Sequence, residues 1–276
     1  SKIAPKENGV KFLVCVKQVP DSWAEKKLAE DTRLDRAGVD AVLNDLDEYA
    51  IEETLRIAEA SGGNGEGGAH TITLLSMGPD RAAEAIRKGL SMGADDAIHI
   101  SDPAISGSDA LATSLVLAKA IEKQVATTGV DVVFCGTEST DARMSVVPAM
   151  LAERLGWPQL TFALEVKIEN GKARIKRSTD DGIEEFEAPL PCVISVNEKI
   201  NEPRYPSFKG IMAAKKKTVV NQNLADLGIA TSEVGEAAAW TKVNDFALRP
   251  ARSAGIKIVD EGNGGNELVS FLAEKK

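Results

Sequence analysis

The stretch from 131 to 156 holds the side chains whose types and spacing most clearly suggest chemistry. An apolar run at 132–135 ends at Gly136, a polar loop follows at 137–143, and a helical pattern begins near Ser145. In parallel α/β sheets, ligands bind beyond the carboxyl ends of strands, where glycine allows close approach and free N–H groups of a helix start attract anions. The pattern predicts a nucleotide site. Hydroxyls and a carboxylate here also serve as helix caps, and the local sequence leaves both interpretations open.

Known catalytic and metal-binding patterns do not match this sequence. His70 and His99 flank predicted strands and have no Cys, Asp or Glu at metal-ligand spacing, which favours structural roles. Residues 63–68 match G-x-G-x-x-G, but they follow a helix and precede a strand, so they are predicted to form a loop rather than a dinucleotide site. Ser139 and Ser145 have no neighbouring base, and G-x-S-x-G is missing. We assign no catalytic residue and no metal ligand.

Composition restricts the partners and the compartment. A net charge of -9 and an aromatic content of 4% argue against a nucleic-acid surface, which needs a basic face or stacking platforms. Cys15, Cys135 and Cys192 each lie inside apolar runs, as buried thiols do in a reducing compartment. No apolar stretch has the length of a membrane span, and residues 1–9 lack the apolar segment of a secretory signal. We therefore expect a cytoplasmic protein without stable membrane insertion.

The order of elements predicts a sheet covered on both faces. Strand and helix patterns alternate from 12 to about 155, which specifies a mainly parallel sheet in a three-layer α/β sandwich. After Pro158 the pattern changes to an antiparallel hairpin region with turns at Asn170-Gly171 and at 180–182. We expect residues 1–222 to form this domain. Residues 223–276 are expected to form an extended C-terminal arm, since they carry apolar side chains but too few to build a core.

Three blocks together resemble a known family. The first joins 15–21 to 43–53, the second joins the loop after Gly136 to 155–159, and the third runs from 201 to 212 into a lysine triplet at 215–217. In this order and spacing they resemble the beta subunits of electron-transfer flavoproteins. The resemblance extends from about Lys11 to the early tail.

The resemblance implies an electron carrier subunit with an adenine-nucleotide-binding, HUP-like fold. Such a beta subunit pairs with an alpha subunit that holds most of the FAD, accepts electrons from acyl-CoA-type dehydrogenases, and buries a structural AMP. Cys15 and Met77 then offer soft contacts to an adenine. The AMP-lining positions implied in this way are Cys15, Asn44, Asp45, Leu46, Asp47, Met77, Gly136, Thr137, Glu138, Ser139, Thr140, Asp141, Arg143, Met144, Ser145, Val146 and Val147.

The resemblance also implies a partner-recognition loop near 203–212. Phe208 occupies the position of an apolar anchor, with Pro206, Ile211 and Met212 beside it. The triplet at 215–217 is either a solvated helix face or a patch that steers acidic partners. Some family members place an aromatic residue at the position of Ser22 to pack on the flavin; this chain does not, and the neighbouring Trp23 is the candidate substitute.

Departures from the family pattern leave alternatives. Residues 142–146 differ from the usual donors, and Arg143 is an added cation that can pair with a phosphate. The alternatives to the usual AMP site are therefore a different mode of AMP binding or a second FAD in place of AMP, as in electron-bifurcating members. A separate alternative is a free-standing nucleotide-binding regulator of the universal-stress type, which shares a similar sheet and a phosphate-binding glycine loop.

Overall fold

A computed structural model describes residues 9–275. The prediction that residues 1–9 lack a secretory signal falls almost entirely on residues 1–8, which lie outside the described residues. The strands are β1 (Lys11–Cys15), β2 (Gln18–Pro20), β3 (Ala41–Leu43), β4 (Thr71–Met77), β5 (Asp96–Ile100), β6 (Val132–Gly136), β7 (Gln159–Glu169), β8 (Lys172–Thr179), β9 (Gly182–Pro189), β10 (Cys192–Val196) and β11 (Val219–Gln222). The helices are α1 (Asp45–Ala60), α2 (Ala83–Met92), α3 (Ala110–Thr127), α4 (Val147–Leu155), α5 (Phe208–Ala214), α6 (Gly235–Ala238) and α7 (Gly264–Glu274).

Nine of these strands form one sheet in the order β11-β5-β4-β1-β6-β10-β7-β8-β9. Pairing is parallel from β11 through β7 and antiparallel in the β7-β8-β9 meander. The central strands are continuous apolar runs, because a parallel sheet is covered on both faces. In β1, Phe12 pairs with Ile72 on one side and with Val132 on the other.

Two apolar cores lie on opposite faces of the sheet. One contains Ile51 and Leu55 of α1 with Ile86 and Leu90 of α2. The other contains side chains of α3 and α4, among them Ile121. Alternate residues of the central strands β1 and β6 contribute to alternate cores, as the two-residue period of a strand requires. The predicted three-layer α/β sandwich with a mainly parallel sheet is confirmed.

The predicted hairpin region is an extension of the same sheet. Asn170 and Gly171 both have positive φ, 53° and 72°, as a type I′ turn requires at its two central residues. The second turn precedes Gly182, whose φ is 138°. Because β7 pairs in parallel with β10, the meander continues the central sheet instead of forming a separate layer.

The compact unit continues beyond the expected boundary at 222. It extends to Lys242, because Leu224, Leu227, Ile229 and Val234 join the core that also contains α3. The second unit is Val243–Lys276, and its one helix, α7, buries none of its described side chains. Among residues 9–275, no helix combines the length and the apolar character that a bilayer crossing needs.

Candidate functional site

Three of the predicted site residues lie at the carboxyl ends of adjacent strands. Cys15 ends β1, Met77 ends β4 and Gly136 ends β6, and β1 lies between the other two strands. Cys15 is half-buried and hydrogen-bonds the buried Cys135. This hydrogen bond and burial raise the pKa of the Cys135 thiol, which disfavours the thiolate and makes it a poor nucleophile.

The buried carboxyl group of Asp47 joins the first turn of α1 to two strand ends. Its Oδ2 accepts from the Lys17 backbone N–H at 2.8 Å, and the Gly136 backbone also donates to this carboxyl group. A Cβ on residue 136 would lie 2.6 Å from the Leu46 carbonyl oxygen and 2.7 Å from Asp47 Oδ1. Glycine is therefore required at 136 by the close approach of α1. Burial raises the pKa of Asp47 to about 7, although these hydrogen bonds act in the opposite direction.

Asn44, the residue before α1, fixes the loop that follows Gly136. Its Nδ2 donates to the Glu138 carbonyl oxygen at 2.9 Å, and its Oδ1 accepts from the Thr140 N–H at 3.1 Å. Thr137 Oγ1 donates to the Val196 carbonyl oxygen at 2.7 Å, which ties the loop to β10. The predicted positions on α1 and on the loop are therefore brought together by direct hydrogen bonds.

Asp141 connects this loop to the segment 21–40. Its carboxylate pairs with Lys17 Nζ at 3.0 Å and with Arg36 Nη2 at 2.6 Å, and its side chain is 1% exposed. Lys17 Nζ also donates to Ser139 Oγ at 3.3 Å, and Lys26 Nζ donates to the Thr140 carbonyl oxygen at 3.2 Å. Burial would raise the pKa of Asp141, but the two cations hold it well below its usual range.

The sequence prediction missed Lys17, Lys26 and Arg36. Lys17 was visible only as part of the block 15–21. Arg36 lies in an irregular segment 105 residues from its partner Asp141, so neither spacing nor periodicity could relate the two. Long-range ion pairs of this kind become visible only once the chain is folded.

The second half of the loop has unusual backbone geometry. Arg143 and Ser145 are non-glycine residues with positive φ, 51° and 58°. The helix consequently begins at Val147, two positions later than Ser145, and Val146 provides no capping side chain. Within the described residues, no acceptor is found for the N–H groups of Ser145, Val146 and Val147. These N–H groups at a helix start can bind an anion.

Two predicted loop side chains already have protein partners. Ser145 Oγ donates to Glu138 Oε2 at 2.7 Å, and Arg143 Nη1 lies 3.5 Å from Glu138 Oε1. The side chains of Arg143 and Met144 are exposed. The cation added at 143 thus pairs with Glu138, while Lys17 and Arg36 both pair with Asp141 and Lys26 contacts the Thr140 carbonyl oxygen.

The chain is similar in sequence to a known protein family. The family model described as Electron transfer flavoprotein domain matches residues 31–227, more than half of the chain. The chain belongs to the electron transfer flavoprotein family. It is 50% identical over 266 residues to the electron transfer flavoprotein subunit beta of Mycobacterium leprae, covering 96% of this chain and 98% of that relative.

More distant relatives agree over nearly the same length. The chain is 36% identical over 269 residues to the subunit beta of Megasphaera elsdenii, covering 96% of this chain and 97% of the relative. It is 35% identical over 266 residues to subunit CarD of the caffeyl-CoA reductase-Etf complex of Acetobacterium woodii, with the same coverage. The predicted resemblance to beta subunits of electron transfer flavoproteins is confirmed, and with it the general function of electron transfer.

In this electron transfer flavoprotein chain, the four residues predicted to bind a partner lie on or next to α5. Phe208 begins the helix and is 80% exposed, Ile211 and Met212 are exposed, and Pro206 is half-buried. Tyr205, which the prediction left out, is 95% exposed.

The three lysines at 215–217 have different environments. Lys215 and Lys216 are exposed, but Lys217 Nζ donates to the carbonyl oxygens of Leu90 at 3.0 Å and Ala94 at 2.6 Å. Burial lowers the pKa of Lys217. The prediction that the whole triplet steers a partner is therefore wrong for Lys217. Its side chain instead hydrogen-bonds carbonyl oxygens at the carboxyl end of α2.

The two histidines have structural partners, as predicted. His70 Nδ1 accepts from the Val10 N–H at 2.9 Å, and its Nε2 lies 2.9 Å from Ser61 Oγ. His99 Nε2 lies 3.2 Å from the Gly78 carbonyl oxygen. A cavity of about 450 Å³ lies on the meander and extends to Asn197, which follows the Val196 that pairs with Gly136. Its lining residues are Phe162, Leu164, Arg177, Ser178, Thr179 and Asn197.

The titration of Asp47 gives a pH test of the site's geometry. An unfolded aspartate titrates near pH 4, whereas this one titrates at about 7, so between these values the folded chain holds a proton that the unfolded chain has lost. The free energy of unfolding contributed by Asp47 must therefore fall as pH rises through this window, by up to about 1.4 kcal/mol per unit.

Urea unfolding of the wild type and of Asp47→Asn, compared at each pH from 4 to 8, isolates this contribution. We expect the wild type to lose stability relative to the variant from pH 4 to 7 and the difference to become constant above pH 7. A difference that does not change with pH would contradict the assignment of a buried carboxyl group to this position.

Proposed function

We propose that this chain is the beta subunit of a heterodimeric electron transfer flavoprotein that carries electrons from acyl-CoA-type dehydrogenases to a downstream acceptor. An alpha subunit holds most of the FAD, and this chain holds a structural AMP. The observation that best supports a bound nucleotide is the loop after Gly136. Its N–H groups at the start of α4 have no acceptor within the described residues.

The chemistry of the donor set fits an adenine nucleotide. The N–H groups of residues 145–147 can donate hydrogen bonds to a phosphate at the start of α4, where the helix dipole favours negative charge. Lys17 and Arg36 together carry two positive charges against the single carboxylate of Asp141, which leaves an excess of positive charge beside the same loop. Cys15 and Met77 pack partly against the apolar core and offer polarisable surface for a base. The remaining AMP-lining positions are those between Asn44 and Asp47 and between Gly136 and Val147.

The flavin supplies the redox chemistry when it is bound, and the protein supplies position and electrostatics. No residue of this chain is assigned a catalytic role. The unit Val243–Lys276 is proposed to pack on the alpha subunit, because Leu248, Ile256 and Val259 are exposed and α7 buries none of its described side chains. The cysteines support a cytoplasmic location: Cys15 and Cys135 hydrogen-bond each other and yet are free thiols.

A second candidate is a bifurcating subunit with FAD in place of AMP. The relationship to subunit CarD of the caffeyl-CoA reductase-Etf complex favours it. AMP is preferred because the segment 201–205 resembles the non-bifurcating branch. Family membership argues against the alternative of a universal-stress-type regulator.

Separate and joint expression tests the division of flavin between the subunits. Expressed alone, this chain should be colourless, whereas co-expression with its alpha subunit should give a yellow complex of one copy of each. Absorbance near the flavin bands and the mass of the complex in solution are the measurements. An isolated chain that purifies with stoichiometric flavin would contradict the proposal.

Phe208→Ala tests the contact with the dehydrogenase. Desolvated aromatic anchors contribute about 2 kcal/mol to an interface, so the KM for the flavoprotein in an acyl-CoA dehydrogenase assay should rise roughly thirtyfold. Flavin and AMP contents should not change. Val125→Ala, which truncates an exposed apolar side chain on α3, is the matched control. Equal KM values for the wild type and Phe208→Ala would refute the anchor.

A further inference from the structure

The segment that carries the exposed aromatic residues is fixed at its start to α1. Asn201 Nδ2 donates to the Tyr49 carbonyl oxygen at 3.1 Å and to Glu53 Oε2 at 3.0 Å. These contacts hold the chain as it leaves the sheet after β10. They do not reach Tyr205 or Phe208, which lie further along the segment.

Arg204 provides the next attachment, and it engages two carboxylates of α1. Its backbone N–H and its Nε donate to Glu52 Oε2 at 3.1 and 2.8 Å, and its Nη2 donates to Glu52 Oε1 at 3.0 Å. Its Nη1 and Nη2 donate to Glu59 Oε1 and Oε2 at 2.6 and 3.0 Å. Glu52 and Glu59 lie two turns apart on one face of α1. The guanidinium therefore uses its planar set of donors on both acids, a geometry that a lysine cannot reproduce.

The far end of the segment is fixed to α2. A Cβ on Gly210 would collide with the Ser91 carbonyl oxygen, so glycine allows α5 to lie directly against α2. Arg87 Nη1 donates to the Ala214 carbonyl oxygen at 2.6 Å, and Lys217 holds the end of α2. Ser207 caps α5 by accepting from the Gly210 N–H at 3.0 Å.

From Tyr205 to the first residue of α5, the chain presents two large aromatic side chains to solvent. Tyr205 is 95% exposed and Phe208 is 80% exposed, although each lies within four positions of Arg204. Exposed aromatic residues on a fixed backbone are suited to docking, because a segment that is already ordered loses less conformational entropy on binding.

We propose that Arg204 is a positioning residue for partner docking: by clamping 201–207 to Glu52 and Glu59 it holds Tyr205 and Phe208 as a preformed two-point contact for an apolar surface of the dehydrogenase. This inference rests on the proposed function. It adds Tyr205 as a second contact and assigns the clamp to recognition, whereas a purely structural ion pair would contribute only to folding stability.

Three variants separate the two roles in the heterodimer. Arg204→Ala removes the clamp, and Glu59→Gln weakens its more exposed half, since Glu59 is 52% exposed and Glu52 is 7% exposed. Glu59→Gln is needed because loss of Arg204 leaves the buried Glu52 without a counterion and can impair folding. Lys119→Ala, which removes an exposed ion pair with Glu122 on α3, is the matched control.

Two measurements are made on each heterodimer. The first is hydrogen exchange without any dehydrogenase, where the clamp variants should exchange faster at 205–208 and the control should not. The second is the assay with a purified acyl-CoA dehydrogenase, where the KM for the flavoprotein should rise about fivefold in Arg204→Ala, and less in Glu59→Gln, with kcat unchanged. Tyr205→Ala should raise the same KM.

A double-mutant cycle identifies whether the clamp acts through the anchor. If it does, Arg204→Ala should raise the KM by a smaller factor in Phe208→Ala than in the wild type, because one of the two side chains that it positions has been removed. Unchanged exchange or unchanged KM in both clamp variants, with Phe208→Ala still impaired, would overturn the inference and leave the proposed function intact. Unchanged KM in Phe208→Ala as well would refute the docking proposal and this inference with it.

Discussion

The buried carboxyl group of Asp47 is the contact on which the carboxyl edge of the sheet depends. It accepts from the backbone beyond β1 and from the backbone of Gly136, and it lies in the first turn of α1. A buried carboxyl group without such donors would cost several kcal/mol, so the three chain segments must meet at this point for the fold to be stable. Gly136 is required for the same reason, since any Cβ there would separate α1 from β6.

Helix α1 consequently supports two separate parts of the molecule. Its beginning fixes the polar loop through Asn44, and its middle holds the segment with Tyr205 and Phe208 through Glu52 and Glu59. A nucleotide at the loop would then stabilise the same helix that supports the docking segment. In the proposed heterodimer, such a nucleotide would have a structural role, and the flavin would supply the redox chemistry.

Periodicity and turn chemistry were sufficient to predict the sheet, the covering helices and both hairpins, because apolar runs and Asn-Gly turns have local causes. The strands β2, β3 and β11 were missed, since they are only three or four residues long and show no clear period. Leu224, Leu227 and Val234 are scattered in the sequence, and only the folded chain shows that they share one core with α3. Likewise, the pairing of Asp141 with Lys17 and Arg36 depends on folding across more than a hundred residues. At the site, the nucleotide was predicted from the loop pattern and from the family resemblance. The hydrogen bonds and ion pairs that assemble the loop are seen only in the structure.

Extraction of the nucleotides from the purified heterodimer tests the central claim most directly. Denaturation followed by chromatographic quantification should yield one AMP and one FAD for each heterodimer. Two FAD and no AMP would contradict the account of a structural adenine nucleotide at the Gly136 loop, as would a single FAD with no second nucleotide.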